Sequence, residues 1–199
     1  MHALPKAPGA DDTFGTTANL FVAGWATLAL AVAASGLFVD PPRALVPALI
    51  GGSFLAFLVA WSRSPRLRAW ALAKDVRLLV LYHVVRVPFG VAFLVMLADG
   101  RLPEAFARTA GWGDILAGGL APLAALLATR RPVLLAWNVI GMADMLLVVA
   151  TAQRLLLWEG NTQLLAELSR FPFSTIPLFV VPMILMTHVV VFAKLRARA

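Results

Sequence analysis

Six stretches of this chain are long enough and apolar enough to cross a bilayer, at roughly 17–39, 44–62, 76–98, 113–129, 133–156 and 174–194. A crossing helix needs about 20 mostly apolar residues, because each residue advances it only ~1.5 Å. Charges and prolines punctuate the runs. Asp40-Pro41-Pro42-Arg43 separates the first two, Ser62 to Arg66 follows the second, Asp99-Gly100-Arg101 the third, and Arg130-Arg131-Pro132 the fourth. Such clusters end a span.

The composition agrees. The chain is 61% hydrophobic and 14% charged, whereas a soluble domain is about half apolar and one-quarter charged. Cysteine is absent, which excludes disulfides, thiolate metal sites and Cys nucleophiles. The expected fold class is all-α: a polytopic membrane protein with six transmembrane helices in one bundle over 17–199, preceded by a cytoplasmic tail at 1–16. The first apolar run exceeds the ~7–15 residues of a signal-peptide core, and Asp11 and Asp12 precede it. It reads as a retained helix.

The net charge of +7 does not indicate nucleic acid, whose partners carry exposed basic stripes. The basic residues here lie between apolar runs. With the N-terminus inside, the inner side holds Lys6, Arg63, Arg66, Arg68, Lys74, Arg77, Arg130, Arg131, Lys194, Arg196 and Arg198, and the outer side Arg43, Arg101, Arg108, Arg154 and Arg170. The positive-inside bias therefore puts both termini in the cytoplasm. Trp61 and Trp70 would mark the inner interface, and Trp112 and Trp158 the outer one. Residues 64–75 read as a basic surface helix with Leu67, Trp70 and Ala71 toward lipid, and 161–170 as a short helix on the opposite surface. Gly51-Gly52 and Gly118-Gly119 suit close helix packing.

Ionisable groups are costly in hydrocarbon and need a partner or a purpose. His83, Asn138 and His188 fall at one level in the inner half, about 8–10 Å deep, and Arg86 and Asp144 at another near the midplane, about 15–17 Å deep. His83 and Arg86 are three apart and share a helix face. Asn138 points about 120° away from Asp144 on their helix, so one compact pocket would not readily use both. Arg86 and Asp144 are expected to pair, either as a register-fixing ion pair or as a site for a proton, ion or anion. His83 and His188 would alternatively ligate a single b-type haem from two sides. Met183 and Met186 read as core filler, and no metal site is expected. Asp114 reads as the N-terminal cap of the fourth span, at its outer mouth. Pro88, just past Arg86, would kink its helix.

No Gly-x-Ser-x-Gly, His-Glu-x-x-His or nucleotide-binding Gly loop is present, so no catalytic motif is recognised. The stretches at 102–114 and 137–144 are similar in texture to small bacterial membrane proteins without assigned function, a resemblance that implies no particular activity; the spans and loop charges set the expected location as the inner membrane. The expected function is small-ligand or ion handling, transport-like, at a buried site of His83, Arg86, Asn138, Asp144 and His188. The alternatives are a single-haem cytochrome and a structural subunit of a membrane complex. The expected partners are the bilayer, a small molecule or ion, and a second copy or a membrane-complex partner.

Overall fold

The computed structural model describes residues 10–197, and every regular element among them is helical. The order is α1 (Ala10–Ser35), α2 (Leu45–Arg63), α3 (Pro65–Ala73), α4 (Val76–Leu81), a 3-10 turn (Tyr82–Val85), α5 (Arg86–Ala98), α6 (Glu104–Leu126), α7 (Arg131–Gln153), a π turn (Arg154–Trp158), α8 (Thr162–Leu168), a second π turn (Ile176–Val180) and α9 (Val181–Ala197). Five helical stretches are long and apolar enough to cross a membrane: Asp12–Ser35, Leu45–Arg63, Val76–Ala98, Arg131–Trp158 and Ile176–Ala197. Lys6 and Arg198, used in the orientation reading, lie outside the described residues.

Three boundaries differ from the sequence reading. The first helix already runs from Ala10, seven residues ahead of the apolar run that begins at 17. The third segment is interrupted by a 3-10 turn. Pro88 has no N–H for the Val84 carbonyl four residues back, and the chain tightens over Tyr82–Val85, directly before it. The largest difference is α6, which starts at Glu104 and not at 113. Pro103 sets its entry, and Glu104 and Arg108 pair across one turn at 2.7 Å. Gly111 and Gly113 are helix interior and serve close packing. A Cβ on Gly90 of α5 would sit 2.7 Å from the Gly111 carbonyl oxygen, so the two backbones nearly touch.

Small elements close both ends. Asp99-Gly100 stops α5 with Gly100 at φ +68°, and Arg101 N–H reaches back to Met96 O at 2.8 Å, a glycine-dependent helix stop. Arg101 then forks onto Glu167 of α8 at 3.1 and 2.8 Å, while Leu164 and Leu168 of α8 are buried in the main core. At the other end α3 packs against α1. Trp70 and Lys74 both donate to Asn19 Oδ1, at 3.3 and 2.7 Å. Ala71 is buried and Leu67 and Trp70 half-buried, not turned outward as the sequence suggested.

Helix α1 is joined to the bundle by a proline-created acceptor. Pro182 has no N–H for the Leu178 carbonyl. Trp25 Nε1 takes that carbonyl at 3.0 Å and sets its ring edge-on to Phe179. Trp25→Phe keeps the packing and leaves the carbonyl unmet, a cost of about 1–3 kcal/mol. Faster hydrogen exchange confined to α1 and the second π turn is the expected result. Unchanged exchange there would show that the bond contributes nothing.

Candidate functional site: a buried arginine between two carboxylates

Arg86 is 1% exposed, on the first turn of α5 after the 3-10 turn. Its Nε donates to Asp114 Oδ1 of α6 at 2.7 Å, and its Nη2 to Asp144 Oδ2 of α7. Nη1 reaches only the Gly141 carbonyl of α7, at 3.4 Å. Arg86, Asp114 and Asp144 each sit near the middle of their own helical stretch, so three helices bring charge to one level. A guanidinium offers a planar fork of five donors, which suits two carboxylates approaching from different sides.

Asp114 was not foreseen as part of this cluster. It does not cap a helix at an outer mouth; it is ten residues into α6 and buried. The sequence held a usable signal. Ala107, Ala110, Gly111, Asp114, Ala117, Gly118 and Ala121 recur at three- and four-residue spacing, which is one face of a helix packed closely on its neighbours. All seven are buried. Reading Gly111-Trp112-Gly113 as a loop concealed the phase. Trp112 is thereby mid-helix and exposed rather than at a helix start.

The imidazoles form a second polar group beside the first, displaced toward the α3 end. His83 and His188 are both fully buried, with ring centroids 4.4 Å apart. His83 Nε2 meets Thr187 Oγ1 at 3.0 Å. That hydroxyl spends its own proton on Ile184 O at 2.8 Å, so His83 Nε2 carries the hydrogen. Asn138 clasps His188 twice. Its Nδ2 donates to the His188 carbonyl at 3.2 Å, and its Oδ1 faces His188 Nδ1 at 2.8 Å. His188 therefore carries its hydrogen on Nδ1. The remaining nitrogens, His83 Nδ1 and His188 Nε2, are buried acceptors without a hydrogen-bond partner among the described residues. Nitrogen-15 spectra of histidine-labelled protein should show two neutral rings of opposite tautomer. Two rings of the same tautomer would refute this assignment.

Glycines let these groups meet. A Cβ on Gly141 would lie 2.8 Å from His188 Cε1, 3.2 Å from His188 Nε2 and 3.8 Å from Arg86 Nη1. The missing side chain at 141 is thus the space shared by the imidazole and the guanidinium. A Cβ on Gly113 would collide with the Asp144 carboxylate. Of the small pairs named from sequence, a Cβ on Gly118 would lie 2.8 Å from the His83 carbonyl oxygen, while one on Gly119, Gly51 or Gly52 would meet nothing within 4 Å. Gly141→Ala should lower stability by about 1–3 kcal/mol through overpacking, read by thermal unfolding in detergent.

All five residues named from sequence are brought to this region, in two subclusters. Arg86 bonds Asp144, and His188 bonds Asn138. Asn138 and Asp144 do not meet, in keeping with their separation around α7. The folded imidazoles do not fit a haem. Two metal–nitrogen bonds of about 2 Å each, with the ring radii added, would hold the centroids roughly 6 Å apart with a macrocycle between them. Here the rings touch at 4.4 Å, with Trp137 edge-on to His83 at 4.9 Å. No group of three or more His, Asp or Glu side chains among the described residues is arranged to hold a metal ion.

On the α8 side of Arg86 lies a cavity of about 40 Å³. Arg86 and Asp114 form its polar floor, and Phe89, Phe93, Phe106 and Met145 are among its apolar walls. The volume admits roughly three waters. Comparison with known proteins finds no match among curated proteins and none among solved structures. A family model described as a domain of unknown function, DUF8737, does match, over residues 43–196, from just before α2 into α9. The chain therefore belongs to the DUF8737 family, with α1 outside the matched region.

Proposed function

We propose that this is a six-span bacterial inner-membrane protein, with both termini cytoplasmic, that handles a small ligand or ion at the Arg86 cluster in a transport-like way. The observation that carries the reading is the buried guanidinium held by carboxylates from two other helices, beside two imidazoles with unused nitrogens. Charge at that depth is retained where it is used or fully paired, and here the pairing is unequal. Helix α6 is the sixth span in this reading although it is less apolar than the other five. Its short connections to α5 and α7 and its mid-helix Asp114, level with Arg86 and Asp144, support that assignment. The orientation rests on the eleven inner against five outer Lys and Arg residues.

Purified protein in proteoliposomes tests the reading. Concentration jumps of protons, sodium and chloride on a solid-supported membrane should give a transient current for at least one ion. A thermal-shift panel of small carboxylates and amines covers neutral exchange. Asp144→Asn should abolish the response. No current and no shift with any probe, or a response equal in Asp144→Asn, would overturn the reading. Reporter fusions in the 36–44 and 127–130 connections should report opposite sides of the membrane, and a same-side result would remove the six-span topology.

A further inference from the structure

The charge inventory of the cluster is unequal. One guanidinium meets two carboxylates, all three largely withdrawn from solvent, with side-chain exposures of 1% for Arg86, 8% for Asp114 and 16% for Asp144. The polar groups beside it are neutral: the two imidazoles, which are in turn bonded by the Thr187 hydroxyl and the Asn138 amide. With both carboxylates ionised the site carries one uncompensated negative charge in a low-dielectric interior, which is expensive. Two carboxylates forced into one site commonly share a single proton for this reason.

The geometry leaves room for that proton. Asp114 uses only Oδ1 toward Arg86, and Asp144 only Oδ2. Asp114 also lines the cavity on the α8 side. On the opposite side, His188 Nε2 is a bare, fully buried acceptor at the Gly141 gap that it shares with Arg86 Nη1. His83 Nδ1 is a second bare acceptor on a ring 4.4 Å from that of His188. Asp114 thus adjoins a small cavity, and the guanidinium that holds both carboxylates adjoins the pair of proton acceptors.

We propose that the Asp114–Arg86–Asp144 cluster is a binding site for one exchangeable proton, carried by the carboxylate pair, with His83 and His188 as neutral acceptors on the α3 side. The inference rests on the proposed function and names its ion. Uptake forms one carboxyl O–H bond and takes the site from a net charge of −1 to neutral. Arg86 from α5 holds the pair, His188 from α9 adjoins that guanidinium at Gly141, and His83 from the 3-10 turn adjoins His188; α6 and α7 contribute the two carboxylates themselves. The sign follows. Low pH fills the site and high pH empties it. Removing either carboxylate leaves a balanced one-to-one ion pair with no reason to hold a proton.

Infrared difference spectra of the whole protein in lipid nanodiscs, titrated from alkaline to about pH 6, where exposed carboxylates stay ionised, read this directly. The wild type should show one carboxylic-acid carbonyl band, shifted in deuterium oxide, that persists in Glu167→Gln. Asp114→Asn and Asp144→Asn should each lose it, while Arg86→Lys should keep it. Absence of the band in the wild type, or its survival in both Asn variants, would overturn the proposal. Should the Asn variants fail to fold, the wild-type band and its retention in Glu167→Gln still decide. A band without ion flux would leave the proton site standing and remove the transport reading. Flux without a band would do the reverse and point to another ion.

Discussion

Arg86→Met is expected to cost about 3–5 kcal/mol of folding stability, because it strands one buried and one half-buried carboxylate with no counter-charge. Reversible unfolding in mixed detergent micelles measures the loss. The cost comes from breaking the cluster, not from any large net worth of the cluster itself. The triple variant Arg86→Met, Asp114→Asn, Asp144→Asn removes all three charges together. It should recover most of the stability, since a buried ionic group replaced as a unit is often close to neutral. Asp114→Asn alone should cost much less than Arg86→Met, since Arg86 retains Asp144 and the charges become equal. If Arg86→Met proves as stable as the wild type, the three groups are not buried together and the site dissolves. If the triple variant is stable but silent in the flux assay, the cluster is functional rather than a device for fixing helix register.

Gly113→Ala is expected to lower stability by about 3 kcal/mol, at the upper end for overpacking. The added methyl would enter the space held by the Asp144 carboxylate. That carboxylate cannot swing aside without leaving Arg86. Gly119→Ala is the matched control six residues along α6. Its Cβ would meet nothing within 4 Å, and the better helix former should add up to about 1 kcal/mol. Opposite signs for two Gly→Ala changes in one helix would show that α6 packs on α7 along the Gly113 face. Equal effects would place Gly113 on an open face and break the Asp114–Arg86–Asp144 arrangement.

The helical class of the chain follows from its long apolar runs, and most boundaries from the charges and prolines that close them. The start of α6 was not readable that way. Gly111-Trp112-Gly113 has the composition of a turn, and only the partner surfaces show why two glycines are there. Gly111 admits α5 and Gly113 admits the Asp144 carboxylate. Arg86 and Asp144 were legible as partners because their distances from the helix ends match. Asp114 was not, because its depth had been counted from a helix start nine residues too late. The small-residue spacing around it would have corrected the count.

Amino-acid order alone determined that the chain is helical, which side chains are too polar to face lipid, and that Arg86 and Asp144 share a level. Those properties depend on rise per residue and transfer cost, which are local. The tertiary structure decided azimuth: which faces of α5, α6, α7 and α9 turn toward one another. It set Asp114 against Arg86, brought two imidazoles too close for a macrocycle between them, and left one bare nitrogen on each. Azimuth depends on how small residues let particular helices approach, and that is a property of pairs of helices that no single helix carries.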